Sequence, residues 1–175
     1  ATRLAHYDPL TGLATAEELH RCLAERLSLL GRGATGFGVL CVGLHRFGAV
    51  RGALGHAVGE ALLRQVGDRL REGVRSADVV ARTGDDEFAI VQGTAGPAEV
   101  TAGMARRLTE LLSRPYDVEG HVLPVGASLG IARAEADGLA AEDLLERAGR
   151  ALRRAKAEGQ GVVRAFEAGP GLKVA

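Results

Sequence analysis

A chain of 175 residues suffices for one domain with a real core and falls short of two. Its 46% apolar and 25% charged residues exclude a disordered or fibrous polymer. The 22 basic and 22 acidic residues cancel, so no global field gathers a nucleic-acid polymer or an anionic membrane, and any anionic ligand needs a local site. No apolar run reaches the roughly 20 residues of a membrane span, and no basic-then-apolar leader opens the chain. Ala1 in place of Met and a loose-looking tail over 169–175 read as marks of a piece cut from a longer protein, with the domain expected over 1–168. Cys22 and Cys41 fall on apolar faces, which predicts reduced thiols rather than a disulfide framework.

In chain order, Asp8-Pro9 and Thr11-Gly12 punctuate a first loop. Thr15 with Glu18 forms a capping box for a helix reaching about Leu30, whose stripe is Leu19, Leu23, Leu27 and Leu30; Gly31, Gly33 and Gly36 end it. Phe37–Leu44 is an almost continuous apolar run, the pattern of a strand buried on both faces. A second helix is expected from about Val58 to Val74. Val79–Arg82 and Glu87–Val91 read as a hairpin closed by a two-residue Gly84-Asp85 turn. A helix from about Pro97 to Leu112 follows, then strand material over Val118–Ala132 with a turn at Glu119-Gly120. A last helix, Ala141–Glu158, leads to a closing strand at Val162–Phe166. These elements predict one α+β domain with a central mixed, largely antiparallel sheet flanked by helices.

Five segments carry a family resemblance: Asp8-Pro9-Leu10-Thr11-Gly12-Leu13; Phe47 with Gly55-His56 and Gly59; Arg82-Thr83-Gly84-Asp85-Asp86-Glu87-Phe88; Ser128-Leu129-Gly130-Ile131-Ala132; and Ala155-Lys156 with Gly159. In this order, over residues 6–166, they resemble the GGDEF domains of diguanylate cyclases. The resemblance implies a fold like the adenylyl cyclase and polymerase palm. It also implies an activity, in which two facing domains, each holding one GTP, join them into cyclic di-GMP with divalent metal neutralising charge.

Matched to the family pattern, the metal-ligating Asp that ends the first strand is Gly43, and the second acidic position is His45. Glycine offers no side-chain oxygen to Mg²⁺, so only Asp86 and Glu87 remain as the catalytic and metal-binding remnant. The second signature glycine is Asp85, which sets a negative charge beside a triphosphate, while Gly84 remains. The phosphate-binding Lys is Gly48; Lys156 survives at a phosphate position, and the Arg expected after it is Gln160. The base-reading Asn and Asp are Arg51 and Glu60, and Arg51 supplies donors only. These losses predict a catalytically degenerate site, with no cofactor expected and Mg²⁺ only where GTP is bound through Glu60, Gly84 and Lys156.

Arg75-Ser76-Ala77-Asp78 fits R-x-x-D, with five residues separating Asp78 from Gly84, the spacing of the family's inhibitory site for cyclic di-GMP. There an Arg fork grips phosphate or a guanine edge and a carboxylate accepts from guanine nitrogens. Arg106 is a candidate second guanidinium, and His56 is expected to be structural. Arg147, Arg150, Arg153, Arg154 and Lys156 place cations toward a helix C-terminus, where the macrodipole favours them. Arg114-Pro115-Tyr116 through Ile131 resembles the version of the domain that an EAL phosphodiesterase domain follows. The expectation is a cytoplasmic regulatory module binding cyclic di-GMP, with a homodimer and an adjacent EAL or sensor domain as partners. The alternatives are an active diguanylate cyclase and a GTP-binding allosteric domain controlling an adjacent EAL domain.

Overall fold

The computed structural model describes residues 6–30, 36–135 and 139–167. Its elements are β1 (Ala14–Thr15), α1 (Ala16–Leu30), β2 (Phe37–Leu44), α2 (Phe47–Leu54), α3 (His56–Gly73), β3 (Val79–Arg82), β4 (Glu87–Val91), α4 (Ala98–Ser113), β5 (Tyr116–Val118), β6 (His121–Leu123), β7 (Ala127–Ala134), α5 (Ala141–Glu158) and β8 (Val163–Ala165). Six strands form one sheet in the order β1-β3-β4-β2-β7-β8; β5 and β6 form a separate hairpin. The three central pairings are antiparallel, and the two edge pairings, β1 with β3 and β7 with β8, are parallel. The expected mixed, largely antiparallel α+β architecture is the one observed.

Alternation along the central strands divides the core between the two faces of the sheet. Leu40, Val42, Phe88 and Ile90 pack with Leu62, Val66, Leu70 and Leu108 of α3 and α4. Val39, Ala89 and Val91 pack with Leu19, Leu23, Leu144 and Ala148 of α1 and α5. The α5 backbone approaches β7 so closely that a Cβ on Gly130 would lie 2.2 Å from Leu152 N and 2.3 Å from Ala148 O. α3 and α4 hold each other's ends: Arg69 donates to the carbonyls of Leu111, Arg114 and Pro115, and Arg107 donates twice to that of Gly73.

Thr15 Oγ1 caps α1 by accepting from Glu18 N at 3.2 Å. The Glu119-Gly120 turn forms with both residues at positive φ, 49° and 84°, as a two-residue hairpin linking β5 and β6 requires. Two expectations change. The β3–β4 register pairs Arg82 with Phe88, and Thr83 N donates to Glu87 O at 2.9 Å, so a three-residue loop, Gly84–Asp86, replaces the two-residue turn. Gly84 accordingly does not use the positive φ open to glycine. In addition, β1 and α2 are elements absent from the sequence reading. Arg46 at φ 65° reverses the chain out of β2 into α2. Gly48 and Gly52 lower that segment's helix propensity by about 1 kcal/mol each relative to Ala, and tertiary packing of the buried Phe47 overrides them. Gly31, Gly33 and the tail over 169–175 lie outside the described residues.

Candidate functional site

At the end of β2, Gly43 pairs with Glu87 of β4 and Ser128 of β7. A Cβ there would lie 3.1 Å from Lys156 Cδ and 3.3 Å from its Nζ. The Lys156 ammonium therefore lies over the position from which a metal-binding carboxylate would project, and has no ion-pair partner among the described residues. His45 is turned to structural use. Ser128 Oγ donates to Gly159 O at 2.7 Å, which leaves its lone pairs for the His45 Nε2–H at 2.8 Å. Burial, with the charges of Lys156 and Arg46, holds the His45 imidazole below its ordinary value and so favours the neutral ring. Asp86 is half-buried and Glu87 exposed on the hairpin. Among the described residues no group of three or more His, Cys, Asp or Glu can hold a metal ion. Asp86 and Glu87 are the carboxylates that would hold Mg²⁺ here, together with the phosphates of a bound nucleotide.

Beside this lies a cavity of about 190 Å³ between Pro9, Phe47, Arg51, His56, Glu60, Arg82 and Asp85, below the range typical of small-molecule sites. Arg51 and Asp85, two of the departures from the family pattern, meet: Arg51 Nη1 is 2.7 Å from Asp85 Oδ2, with the guanidinium stacked over the Phe47 ring at 4.8 Å. Arg82 grips Asp85 from the other side, through its carbonyl at 2.9 Å and its carboxylate at 3.3 Å. Arg82 also reaches Asp8 at 3.5 Å. Asp8 in turn accepts from Thr11 N at 2.9 Å and Thr11 Oγ1 at 2.7 Å. Burial would raise the Asp8 carboxyl, but the Thr11 hydrogen bonds and Arg82 outweigh it and hold the group below its ordinary value. Glu60 is 3.3 Å from His56, so the expected structural histidine is an exposed partner on the pocket rim.

At the other end of β3, Arg75 and Asp78 line a cleft of about 560 Å³ together with Tyr7, Gly12, Glu18 and Arg71. Asp78 fixes the loop: its two oxygens accept from Arg75 N at 2.8 Å and Gly93 N at 2.7 Å. Each carboxylate oxygen retains a further lone pair. Gly93 is pressed against this loop so tightly that a Cβ would fall 1.9 Å from Ala77 O. The Arg75 guanidinium has no partner among the described residues and is exposed. Glu18, held down to about 2 chiefly by hydrogen bonds from Arg21, is ionised at neutral pH. Cys22, at the back of the cleft, is pushed up by burial and by Glu18 and so is a poor thiolate nucleophile. Arg106 lines a different cavity, of about 570 Å³, with Thr109, Arg114 and Val163, so within one chain it does not join Arg75 and Asp78.

Sequence reasoning missed Tyr7 and Arg71, because the first loop's return onto α3 is a tertiary event. The 3.5 Å contact of Arg82 with Asp8 spans 74 residues and leaves no periodic signal. No helix among the described residues is long and apolar enough to cross a membrane.

Residues 5–161 match the family described as Diguanylate cyclase, GGDEF domain. A signalling protein of Caulobacter vibrioides is 39% identical over 94% of this chain and 20% of its own length. The bifunctional diguanylate cyclase/cyclic di-GMP phosphodiesterase MucR of Pseudomonas aeruginosa is 35% identical over 90% of this chain and 23% of its own. The chain thus spans about a fifth of the length of these curated relatives. The crystal structure of a sensory box/GGDEF family protein from Caulobacter crescentus is 36% identical, with a TM-score of 0.83, 89% of this chain and 100% of that one being covered.

Proposed function

We propose that this chain, which belongs to the GGDEF domain family of diguanylate cyclases, is a regulatory module of cyclic di-GMP signalling that binds cyclic di-GMP in the Arg75/Asp78 cleft and does not cyclise GTP. The carrying observation is the 2.7 Å Arg51–Asp85 ion pair, which fills with protein charge the pocket where a base would be read. Loss of the carboxylate at Gly43 acts in the same direction, since removing one catalytic group costs several powers of ten in rate. The cleft offers the opposite: room of ligand size, a guanidinium without a partner among the described residues, and a carboxylate fixed by backbone donors.

The similarity to a bifunctional cyclase/phosphodiesterase supports a tandem arrangement in which an EAL domain receives the signal. A second reading, GTP held without turnover, draws on the Lys156 ammonium over Gly43 and on Glu60.

The test has two arms. Purified protein incubated with GTP and Mg²⁺ or Mn²⁺ yields no cyclic di-GMP; clear product overturns the non-catalytic reading. Calorimetry with cyclic di-GMP gives binding heat in the wild type and none in Arg75→Ala; silence in the wild type overturns the receptor reading. GTP titrated into the same protein decides the second reading.

A further inference from the structure

We propose that Tyr7 and Arg71 complete the Arg75/Asp78 cleft as ligand-binding residues, Tyr7 stacking on a purine and Arg71 gripping a phosphodiester beside Arg75. This rests on the receptor reading above and adds residues outside the R-x-x-D segment.

The first observation concerns Tyr7. It lines the cleft and is half exposed, at 50%, the only aromatic among the large apolar side chains left exposed in the described residues. Its backbone is nonetheless rigid. Tyr7 bridges Ala14, Asp8 N donates to Leu13 O at 2.7 Å, and Thr15 N donates to His6 O at 2.9 Å. A half-exposed tyrosine on fixed backbone beside a cavity is a stacking surface that loses little freedom on binding.

The second observation concerns Arg71. Its Nη2 donates to the Thr11 carbonyl and its Nη1 to Asp68 Oδ1 at 3.0 Å. Gly12 makes the seat possible. At φ 72° it adopts the left-handed backbone, and a Cβ would lie 2.8 Å from Arg71 Nη2. A guanidinium has more N–H donors than these two bonds use, so a pre-set Arg71 retains donors for a ligand in the cleft it lines.

Two guanidinium groups, one aromatic ring and two carboxylates, Asp78 and Glu18, define the ligand. Inorganic phosphate would gain from the arginines and be repelled by the acids. A guanine-bearing phosphodiester satisfies both, because its N–H groups donate to carboxylate while its phosphate meets arginine.

Calorimetry of the intact chain with cyclic di-GMP, at several salt concentrations, tests this. Tyr7→Ala weakens binding about tenfold, within the range of one base–aromatic stack, and Tyr7→Phe restores it. Arg71→Gln weakens binding about tenfold and lowers the slope of log Kd against log salt by about one, which a purely structural role would not do. Arg71→Lys keeps the slope, and serves if the Gln variant melts early. Wild-type binding that is lost in Arg75→Ala but unchanged in Tyr7→Ala and Arg71→Gln overturns this inference and leaves the receptor reading standing. No binding by the wild type overturns both.

Discussion

Two sites lie at the ends of one four-residue strand, β3, roughly 13 Å apart at about 3.3 Å per residue, and they are built in opposite ways. The pocket past Arg82 is closed by side chains: Arg51, Asp85, Arg82 and Asp8 hold one another across partly exposed surface. The cleft before Val79 is shaped by backbone: Asp78 caps two amides, Gly93 leaves no space for a Cβ against the Ala77 carbonyl, and Gly12 takes a left-handed φ of 72°. A site made of surface side chains can be rewritten residue by residue without cost to the fold. One made of backbone geometry persists as long as the fold does. At the pocket, Arg51 and Asp85 answer each other; at the cleft, the backbone against Gly93 sets the form.

The comparison breaks if backbone substitutions at the cleft prove harmless. Gly93→Ala drives a methyl into the Ala77 carbonyl and is expected to destabilise the chain by about 3 kcal/mol in urea unfolding. Gly84→Ala in the signature loop meets only ordinary contact, 3.4 Å from Glu87 Cβ, and is expected to stay within about 0.5 kcal/mol of wild type. Asp78→Asn presents an amide to one of two backbone N–H donors and is expected to cost about 1–2 kcal/mol, as well as ligand affinity.

The other side of the comparison is sharpened by opening the pocket. Arg51→Asn combined with Asp85→Gly removes the ion pair and restores the family pattern, and is expected to raise GTP affinity about tenfold by calorimetry, an effect of about 1.4 kcal/mol. A double-mutant cycle on Arg51 and Asp85, whose side chains are 35% and 55% exposed, is expected to give about 0.2–1 kcal/mol of coupling, shrinking with salt. A larger, salt-insensitive coupling would mean the pair is part of the fold rather than a plug.

The smallest effects are in the pH dependence. Asp8 is held below 3.8 in the folded chain, so its contribution is complete above that value and is lost as pH falls through the folded value; Asp8→Asn removes this part of the acid sensitivity. His45 is held below 6.5, so the unfolded chain takes up the proton first and stability declines as pH falls through 6.5. His45→Gln is expected to flatten that decline in urea titrations between about pH 7 and 5.

Much of this was legible in the residues. The apolar run Phe37–Leu44, the Thr15 cap, the Glu119-Gly120 turn and the α5 boundaries follow from local rules, because capping, alternation and positive-φ turns are set by neighbours in the chain. The departure at Gly43 and the Arg75/Asp78 pair came instead from matching residues to the family pattern. Local rules misjudged the signature loop, where the β3–β4 register pairs Arg82 with Phe88 and leaves three residues, not two, to close the hairpin. They also passed over α2, whose glycines lower its helix propensity.

From the sequence alone came the family, the order of elements and the absence of a side-chain oxygen at Gly43, since identity and spacing suffice for each. Only the tertiary structure decided that Arg51 meets Asp85, that Lys156 covers Gly43, and that Tyr7 and Arg71 share a cleft with Asp78. Each of these joins residues far apart in the chain, and a contact across the sheet is fixed by how helices and strands pack, which no local pattern encodes.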